Sequence, residues 1–366
     1  MTIGDREVLV FHDDRMLGHS PDIRETFLSN RLERKVQQMI AGLGIKWSYP
    51  EHPGRITSIM ERLKRDPIPG VRFEQGSSAT LEQLGRVHTS SYLKSICNLR
   101  GKNAWLDIDT TSVSPNSVEA AEVAAGTAIA AVEAVVEGRT SSAFAVVRPP
   151  GHHAEPVRAR GFCLFNNAAV AAAHAQAELG MERILIVDWD THHGNGTQEI
   201  FWADESVLFF DTHRAAPFYP GTGALDEVGG GLGEGKTVNV PLPPGTGDVA
   251  MLRAYWDILV PAADWFQPNL IVVSAGFDAH HLDLSLNLGY EGFSAMTGVL
   301  QELADRHCDG RLVFVLEGGY NLESLSGGVS TVLEVLTGGP PAQVEECGLR
   351  EVRAAAEYHR SAFIEP

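Results

Sequence analysis

The chain has 366 residues, 44% of them hydrophobic, and a formal net charge of −18 at pH 7. It has no apolar run near the roughly 20 residues of a membrane span, so we expect a globular, cytoplasmic protein without a membrane partner. The acidic balance argues against a basic nucleic-acid-binding face; it reflects either plain solubility or attraction of cationic substrates. The cysteines Cys97, Cys163, Cys308 and Cys347 lack paired spacing, which favours reduced thiols.

Short, β-branched apolar runs alternate along the chain with longer helical segments. The predicted strands are Val8–Phe11, Ala143–Val147, Ile184–Val187, Val207–Phe210, Leu270–Ser274 and Leu312–Leu316. The predicted helices are Thr26–Leu43, a segment from Ile56, Val118–Val136, Asn167–Leu179, Ala250–Phe266, Gly292–Arg306 and Leu322–Leu336. The segments Tyr49–Arg55 and Gly229–Gly235 are predicted loops.

This alternation predicts an α/β fold with an open, mainly parallel sheet and helices on both faces. Nearly continuous apolar runs are typical of strands that are buried on both faces, as in parallel sheets. We find no internal repeat and no long linker, so we predict a single domain over residues 1–366.

Five of the predicted strands run directly into unusual polar segments. These segments are RPPGHHA after Val147, DWDTHHGNGT after Val187, DTHRAAPFYPGTGA after Phe210, AGFDAHH after Ser274 and EGGYN after Leu316. Ligands bind at the carboxyl ends of the strands in open α/β sheets. We therefore expect these segments to meet at one rim and to form the functional site.

Asp190 and His192 are candidate metal ligands, because side chains two residues apart on an extended segment point to the same side. A single D-x-H pattern is a chance occurrence more often than a ligand pair. Asp278, after another strand, supplies a third ligand. Carboxylate and imidazole suit Zn²⁺, and three protein ligands with an open position are typical of a catalytic zinc site.

His152, His153 and Tyr320 are candidate catalytic residues beside that metal. A water that attacks a carbonyl needs a base, a departing amine needs an acid, and two histidines can divide these tasks. Tyr320 follows Gly318 and Gly319, and its phenol could donate to a developing oxyanion. Taken singly, a histidine pair in a loop is usually solvated and a turn tyrosine is usually packing.

With these segments assembled, the chain resembles the histone deacetylase superfamily. The matching motifs are RPPGHHA, GFCLFNN, DWDTHHGNGT, FYPGTGA, SAGFDAH and EGGY; they span about residues 143–336, with HPGR upstream. The details are most similar to class II enzymes, to bacterial histone deacetylase-like amidohydrolases and to acetylpolyamine amidohydrolases. The resemblance implies an arginase-like fold and one Zn²⁺ held by Asp190, His192 and Asp278.

The resemblance also implies roles for the residues around the metal. His152 and His153 would act as general base and general acid, and Tyr320 would polarise the substrate carbonyl. Asp188 would orient His152, and Asn195 would be the partner of His153. An aspartate partner favours imidazolium and an asparagine does not, so the two ring pKa values should separate, which favours His153 as the proton shuttle.

A narrow substrate tunnel and a potassium site follow from the same resemblance. The tunnel would be formed by Gly161, Phe162, Tyr219 and Leu284. Tyr219 stands where relatives commonly have phenylalanine, and Leu284 where many have proline, so the rim and the substrate preference are open. A K⁺ ion would be bound, mostly through backbone oxygens, near Asp188, Asp190, His192, Asp211 and Thr212.

The expected reaction is hydrolysis of an N-acetyl amide on a lysine side chain, which releases acetate and a free amine. An acetylpolyamine deacetylase with the same chemistry is the nearest alternative. An arginase-like ureohydrolase would need further Asp-rich motifs, and a non-catalytic acyl-amine-binding protein would usually lack a ligand or the tyrosine. The relatives favour a homo-oligomer, although Thr26–Leu43 and the stretch from Val344 could equally pack on their own core.

Overall fold

The computed structural model describes residues 6–21, 49–107, 111–344 and 350–364. The predicted helix Thr26–Leu43 lies outside these ranges. One eight-stranded sheet contains β1 (Val8–His12), β2 (Val71–Gln75), β5 (Ser142–Ala145), β6 (Ile184–Asp188), β7 (Val207–Arg214), β8 (Thr237–Leu242), β9 (Leu270–Ala275) and β10 (Leu312–Leu316). A separate two-stranded sheet pairs β3 (Ala104–Trp105) with β4 (Ser112–Val113).

The strand order in the large sheet is β2-β1-β5-β10-β9-β6-β7-β8, and every pairing in it is parallel. All six predicted strands are present. Every residue of β6, β9 and β10 is buried, which requires cover on both faces and explains their unbroken apolar sequence. The predicted α/β architecture with a mainly parallel sheet is therefore confirmed.

Two strands of the large sheet, in addition to β3 and β4, were not predicted from the sequence. β2 has the sequence VRFEQ and lies at one edge, where no residue of the strand is fully buried. β8 has the sequence TVNVPL and lies at the other edge, where it pairs with β7. Because β2 is largely exposed, its sequence need not be continuously apolar. β8 is almost fully buried, but its polar residues Thr237 and Asn239 interrupt the apolar run.

The α-helices in the described ranges are α1 (Gly54–Arg65), α2 (Leu81–Leu84), α3 (Ser90–Cys97), α4 (Ser117–Val136), α5 (Asn167–Leu179), α6 (Asn195–Phe201), α7 (Asp248–Ala254), α8 (Val260–Phe266), α9 (Tyr290–His307), α10 (Leu322–Leu336) and α11 (Arg350–Ile364). A π-helical turn joins α7 to α8, so the predicted helix Ala250–Phe266 is interrupted. The predicted loop Tyr49–Arg55 is shorter than expected, because α1 begins at Gly54. The predicted turn at Gly229–Gly235 contains a short 3-10 helix.

The C-terminal helix α11 packs on its own chain. It contacts β8 and α7, and its residues Val352, Ala355 and Ala356 are buried. His359 Nε2 lies 2.9 Å from the Asn239 carbonyl of β8. The C-terminal helix therefore covers part of its own core, and pairing with another subunit stays a prediction.

The strands β5, β10, β9 and β6 are consecutive neighbours in the sheet. Because they are parallel, their carboxyl ends meet at one edge, as the sequence predicted. Two strand ends were wrong: β5 ends at Ala145, before the predicted Val147, and β7 continues past Phe210 to Arg214. In β7, Asp211 and Thr212 still pair with Asn239 and Val240 of β8. The segment DTHR is therefore the last part of a strand.

Within the described ranges, no helix is both long and apolar enough to cross a membrane. Cys97, Cys163 and Cys308 are free thiols, as predicted. Cys347 lies outside the described residues.

Candidate active site at the carboxyl edge of the sheet

Asp190, His192 and Asp278 converge beyond the ends of β6 and β9, and their ligand atoms lie within 4.8 Å of one another. His192 Nδ1 is 2.9 Å from Asp190 Oδ1 and 3.1 Å from Asp278 Oδ2. Backbone amides hold the carboxylates: Gly318 N donates to Asp190 Oδ2 at 2.8 Å, and Thr191 N donates to Asp278 Oδ1 at 2.9 Å. Both carboxylates are thereby fixed toward the imidazole.

The trio fits a cation better than it fits any protein group around it. Asp278 Oδ2 is buried, and no well-aligned hydrogen bond reaches it from the described residues, although His192 Nδ1 lies 3.1 Å away. Burial and the Asp190 carboxylate raise the pKa of Asp278 to about 6. Burial opposes protonation of His192, but the two carboxylates outweigh it and raise its pKa to about 9. Two buried carboxylates and an imidazole with surplus negative charge are a donor set that suits Zn²⁺.

Glycines keep this space open. A Cβ added to Gly276 would collide with Asp190 Oδ2, and one added to Gly318 would collide with the carboxylates of both Asp190 and Asp278. These positions therefore tolerate no side chain while the carboxylates stay in place. Among the described residues, these three side chains form the one group of candidate ligands whose atoms all lie within 4.8 Å of one another.

The adjacent histidines His152 and His153 have unlike partners, as the resemblance implied. Their ring centroids are 4.0 Å apart. His152 Nδ1 is 2.9 Å from Asp188 Oδ2, whereas His153 Nδ1 is 2.8 Å from Asn195 Oδ1. Asp188 is in turn fixed by the backbone N–H of Asp190, which donates to its Oδ1 at 3.0 Å.

These partners move the two pKa values in opposite directions. Burial lowers the pKa of His152, but the Asp188 and Asp190 carboxylates outweigh it and bring the pKa well above its ordinary value. Burial and the neighbouring imidazoles lower the pKa of His153 well below its ordinary value. The pair therefore combines a ring that favours the imidazolium form with a ring that favours the neutral form, which is a suitable combination for proton transfer.

Tyr320 reaches the site from the loop between β10 and α10. The backbone N–H groups of Tyr320 and Asn321 both donate to Asp283 Oδ2, at 2.6 and 2.7 Å. Gly319 has a φ of 122°, a conformation that favours glycine. Burial and the Asp278 carboxylate raise the pKa of Tyr320 well above its ordinary value, so the phenol keeps its proton and can act as a donor.

A buried ion network, which sequence reasoning missed, contacts the loop that carries Tyr320. Glu51, Arg55 and Arg148 have fully buried side chains. Glu51 Oε1 accepts from Arg55 at 3.1 Å, and Glu51 Oε2 accepts from Arg148 at 2.7 Å. Arg55 Nε also donates to the Gly319 carbonyl at 2.6 Å. Arg55 is part of the HPGR motif, but nothing in the local sequence indicated its partners.

Glu317 is a second residue whose role the sequence did not indicate. Its Oε2 accepts hydrogen bonds from the backbone N–H groups of Gly151 and His152, at 2.6 and 3.1 Å. Burial raises the pKa of Glu317 to about 7. This side chain ties the end of β10 to the histidine pair. Sequence reasoning could have singled out this residue, since a glutamate before two glycines at a strand end is unusual.

The predicted tunnel residues lie around the same centre, with one addition. The ring of Phe162 is 5.8 Å from that of Tyr320, and the ring of Tyr219 is 5.0 Å from that of His153. A Cβ on Gly161 would collide with the His153 ring. Sequence reasoning missed Phe218, which stacks on His192 with a centroid distance of 5.0 Å and an interplanar angle of 10°.

Leu284 and the residues of the predicted potassium site also lie close to residues of this site. Leu284 is 40% exposed, and its backbone N–H donates to the Asp278 carbonyl at 3.1 Å. Asp211 Oδ2 accepts from Gly194 N at 2.8 Å, and Thr212 Oγ1 donates to the Asp188 carbonyl at 3.3 Å. Asp211 and Thr212 are thus close to Asp188, and K⁺ binding there stays a prediction.

Comparison with known proteins agrees with this geometry. The family model "Histone deacetylase domain" matches residues 49–336. Histone deacetylase 14, chloroplastic, from Arabidopsis thaliana is 38% identical over 90% of this chain and 84% of its own. A probable deacetylase from Archaeoglobus fulgidus is 43% identical over 75% of this chain and 77% of its own.

Further matches come from a bacterial relative and a solved structure. The histone deacetylase-like amidohydrolase of Pseudomonas aeruginosa is 42% identical over 78% of either chain. The crystal structure of the HDA15 HD domain is 37% identical, with a TM-score of 0.84 over 98% of this chain and 96% of that one. The arginase/deacetylase-like fold is thereby shown, and this chain belongs to the histone deacetylase family of deacetylases and amidohydrolases.

Proposed function

We propose that this protein is a zinc-dependent deacetylase that hydrolyses the N-acetyl amide of a lysine-type side chain to acetate and a free amine. The observation that carries the proposal is the convergence of three ligands, two unlike histidines and a protonated tyrosine at one edge of the sheet. Asp190, His192 and Asp278 would hold the metal. A bound Zn²⁺ supplies Lewis acidity for the acyl carbonyl and the attacking water.

The remaining chemistry belongs to the side chains of this protein. His153, neutral and with Nδ1 bound to Asn195, offers Nε2 as the base that takes a proton from the attacking water. His152, charged and paired with Asp188, stabilises the negative charge that develops on the acyl oxygen. The Tyr320 hydroxyl donates to the same oxygen. When the C–N bond breaks, His153 returns its proton to the leaving amine.

Metal removal tests the proposal directly. We expect a chelator to abolish hydrolysis of a fluorogenic acetyl-lysine peptide, and Zn²⁺ to restore it in proportion to the metal bound per chain. Metal content and turnover should be measured on the same samples. Turnover that persists after the metal is gone would contradict the zinc assignment, and full zinc loading without turnover would favour a binding protein.

Local charge favours a peptide substrate over a polyamine. The Arg214 guanidinium lies 4.8 Å from the centre of the Phe218 ring, which itself stacks on His192. The Arg160 guanidinium lies 5.5 Å from the centre of the Tyr219 ring. Arg160 is paired with Glu155, but no described carboxylate forms an ion pair with Arg214. A cation beside this aromatic wall disfavours a substrate that carries a second positive charge.

A substrate panel distinguishes the two classes. We expect a higher kcat/KM for an acetyl-lysine peptide than for acetylputrescine or acetylspermidine. The Arg214→Gln variant should narrow this preference by raising activity on the acetylpolyamines. A wild-type preference for acetylpolyamines would make the alternative, an acetylpolyamine deacetylase, the correct assignment.

A further inference from the structure

The two side chains alone do not determine which of them donates in the hydrogen bond between Asn195 and His153. An amide side chain can present either its oxygen or its NH2 group, and a neutral imidazole can carry its proton on either nitrogen. Only one combination leaves the Nε2 lone pair of His153 free to act as a base. That combination needs the Asn195 oxygen to face His153 Nδ1, which must then donate. Something beyond Asn195 has to fix the orientation of its amide.

Glu155 supplies the missing constraint. It is 4% exposed, and its Oε1 lies 2.9 Å from Asn195 Nδ2. The same nitrogen lies 3.4 Å from the carbonyl oxygen of His153. A carboxylate and a carbonyl can only accept, so both require the NH2 group on their side. A flipped amide would place its oxygen against two acceptors and its NH2 against His153.

The Glu155 carboxylate is itself held in place by two arginines. Arg158 donates to Oε2 from Nε at 2.9 Å and from a terminal nitrogen at 2.6 Å. Arg160 donates to Oε1 at 3.1 Å. The backbone N–H of Glu155 also donates to the Arg158 carbonyl at 2.9 Å, which closes the loop. Donors on both oxygens keep the carboxylate an acceptor and keep it aimed at Asn195.

We propose that Glu155 is a positioning residue that sets the tautomer of His153 through Asn195. The direction of each hydrogen bond follows from the one before it. The carboxylate accepts from the Asn195 amide, the amide oxygen accepts from His153 Nδ1, and His153 Nε2 is left without a proton, as an acceptor. The role of that acceptor in catalysis depends on the proposed function, whereas the tautomer does not.

The Glu155→Gln variant removes the constraint with little change in shape. Its terminal amide can donate to the Asn195 oxygen, so the Asn195 amide is free to flip and to donate to His153 Nδ1. In the zinc-loaded protein with ¹⁵N-labelled histidine, in mildly alkaline buffer, we expect the His153 signal to move from the Nδ1–H toward the Nε2–H tautomer. The His153→Gln variant assigns that signal. We expect kcat to fall about 10–100-fold with little change in KM.

A second substitution should restore the tautomer. In the double variant Glu155→Gln/Asn195→Asp, the residue beside His153 is a carboxylate, which accepts from Nδ1 and from the new glutamine. The single variant Asn195→Asp places two carboxylates face to face and should be impaired. We therefore expect both single variants to lose turnover and the double variant to regain the proton on His153 Nδ1, with kcat recovered at a higher pH because the carboxylate at position 195 also raises the pKa of His153. A purely structural role for Glu155 predicts additive losses.

A matched control variant is available at a carboxylate outside this chain of hydrogen bonds. Glu227→Gln removes the same charge from a carboxylate that also accepts from a side-chain amide, that of Gln198 at 2.6 Å, but has no link to His153. It should change neither the tautomer nor kcat. A Glu155→Gln protein that keeps the Nδ1–H tautomer overturns the inference. A tautomer that depends on Glu155 in a protein without deacetylase activity refutes the proposed function alone.

Discussion

At the scale of single residues, the contrast between His152 and His153 comes from one atom in each partner. Asp188 and Asn195 offer an oxygen to Nδ1 at almost equal distances, 2.9 and 2.8 Å. The carboxylate can stabilise a proton on its ring and the amide cannot, so the pKa of His152 is raised and that of His153 is lowered. Identical side chains in adjacent positions thus acquire different chemistry from their neighbours.

Tyr320 gives the first prediction at this scale. Replacing Tyr320 with phenylalanine removes a hydroxyl that can donate to the developing oxyanion and leaves the ring contact with Phe162. We expect kcat to fall by roughly 10²–10³ while KM changes little, which is typical of the loss of one oxyanion donor. Steady-state kinetics on an acetyl-lysine peptide measure this. A loss below about threefold would show that the phenol is packing.

At the scale of elements, the site depends on strand ends whose loops hold one another. The carboxylate of Asp283, from the loop after β9, binds the backbone of Tyr320 and Asn321 at the start of α10. Asn321 then caps α10, since its Oδ1 accepts from the N–H groups of Glu323 and Ser324 at 3.1 Å. The position of the phenol is therefore set by a residue from a different loop.

This contact gives a prediction for Asp283. In Asp283→Ala, two N–H groups lose their acceptor, so we expect the free energy of unfolding to fall by about 1–3 kcal/mol and kcat to fall as well. Asp283→Asn keeps an oxygen at the same place and should lose markedly less of both. Chemical denaturation and kinetics on the two variants make the comparison. Equal losses in the two variants would mean that the charge, not the acceptor, matters.

At the scale of the whole molecule, the N-terminal part of the chain is joined to the site by the buried ion network. Glu51 precedes α1, Arg55 lies in α1, and Arg148 follows β5. Burial opposes ionisation of Glu51, but the neighbouring arginines and His19 outweigh it and hold its pKa well below the ordinary value. A buried charge network of this kind tolerates poorly the loss of any member.

Glu51→Gln is the corresponding stability prediction. It leaves the buried guanidinium groups of Arg55 and Arg148 without a counter-charge, so we expect a loss of about 3–5 kcal/mol in the free energy of unfolding. Asp66→Asn, which breaks the exposed pair with Arg65, should cost less than about 1 kcal/mol. Denaturant unfolding of both variants at neutral pH tests this. Similar small losses would show that the network contributes little.

His88 predicts how stability changes with pH. Burial lowers its pKa from 6.5 to about 4, and its Nε2 accepts from the Asn166 backbone N–H at 3.0 Å, which requires the neutral ring. Below pH 6.5 the His88 side chain binds a proton in the unfolded chain, whereas in the folded protein it does so only below about pH 4. The stability from this group is therefore complete above pH 6.5 and is lost as the pH falls, by about 3 kcal/mol in total.

Comparison with His88→Gln isolates that contribution, since all other groups titrate in both proteins. The difference in unfolding free energy between wild type and variant should shrink as the pH is lowered from 7 to 4. A difference that stays constant over this range would show that His88 titrates normally in the folded state.

The amino-acid sequence by itself determined the central strands, most helices and the motif residues of the site. Strands such as β6 and β9 are buried on both faces, so their position is written in a continuous apolar run, and polar residues at their ends mark the rim. These are local properties of the chain. For that reason the positions of Asp190, His192, Asp278 and the histidine pair at the rim could be predicted.

The tertiary structure alone decided what lies next to these residues. The edge strands β2 and β8, the stacking of Phe218 on His192 and the contacts of Glu51, Asp283 and Glu155 join segments that no local pattern relates. The charge and proton positions of the histidines depend on such contacts, because hydrogen bonds and Coulomb interactions act between neighbours in space. The strand ends could be predicted from sequence, and the chemistry at them required the fold.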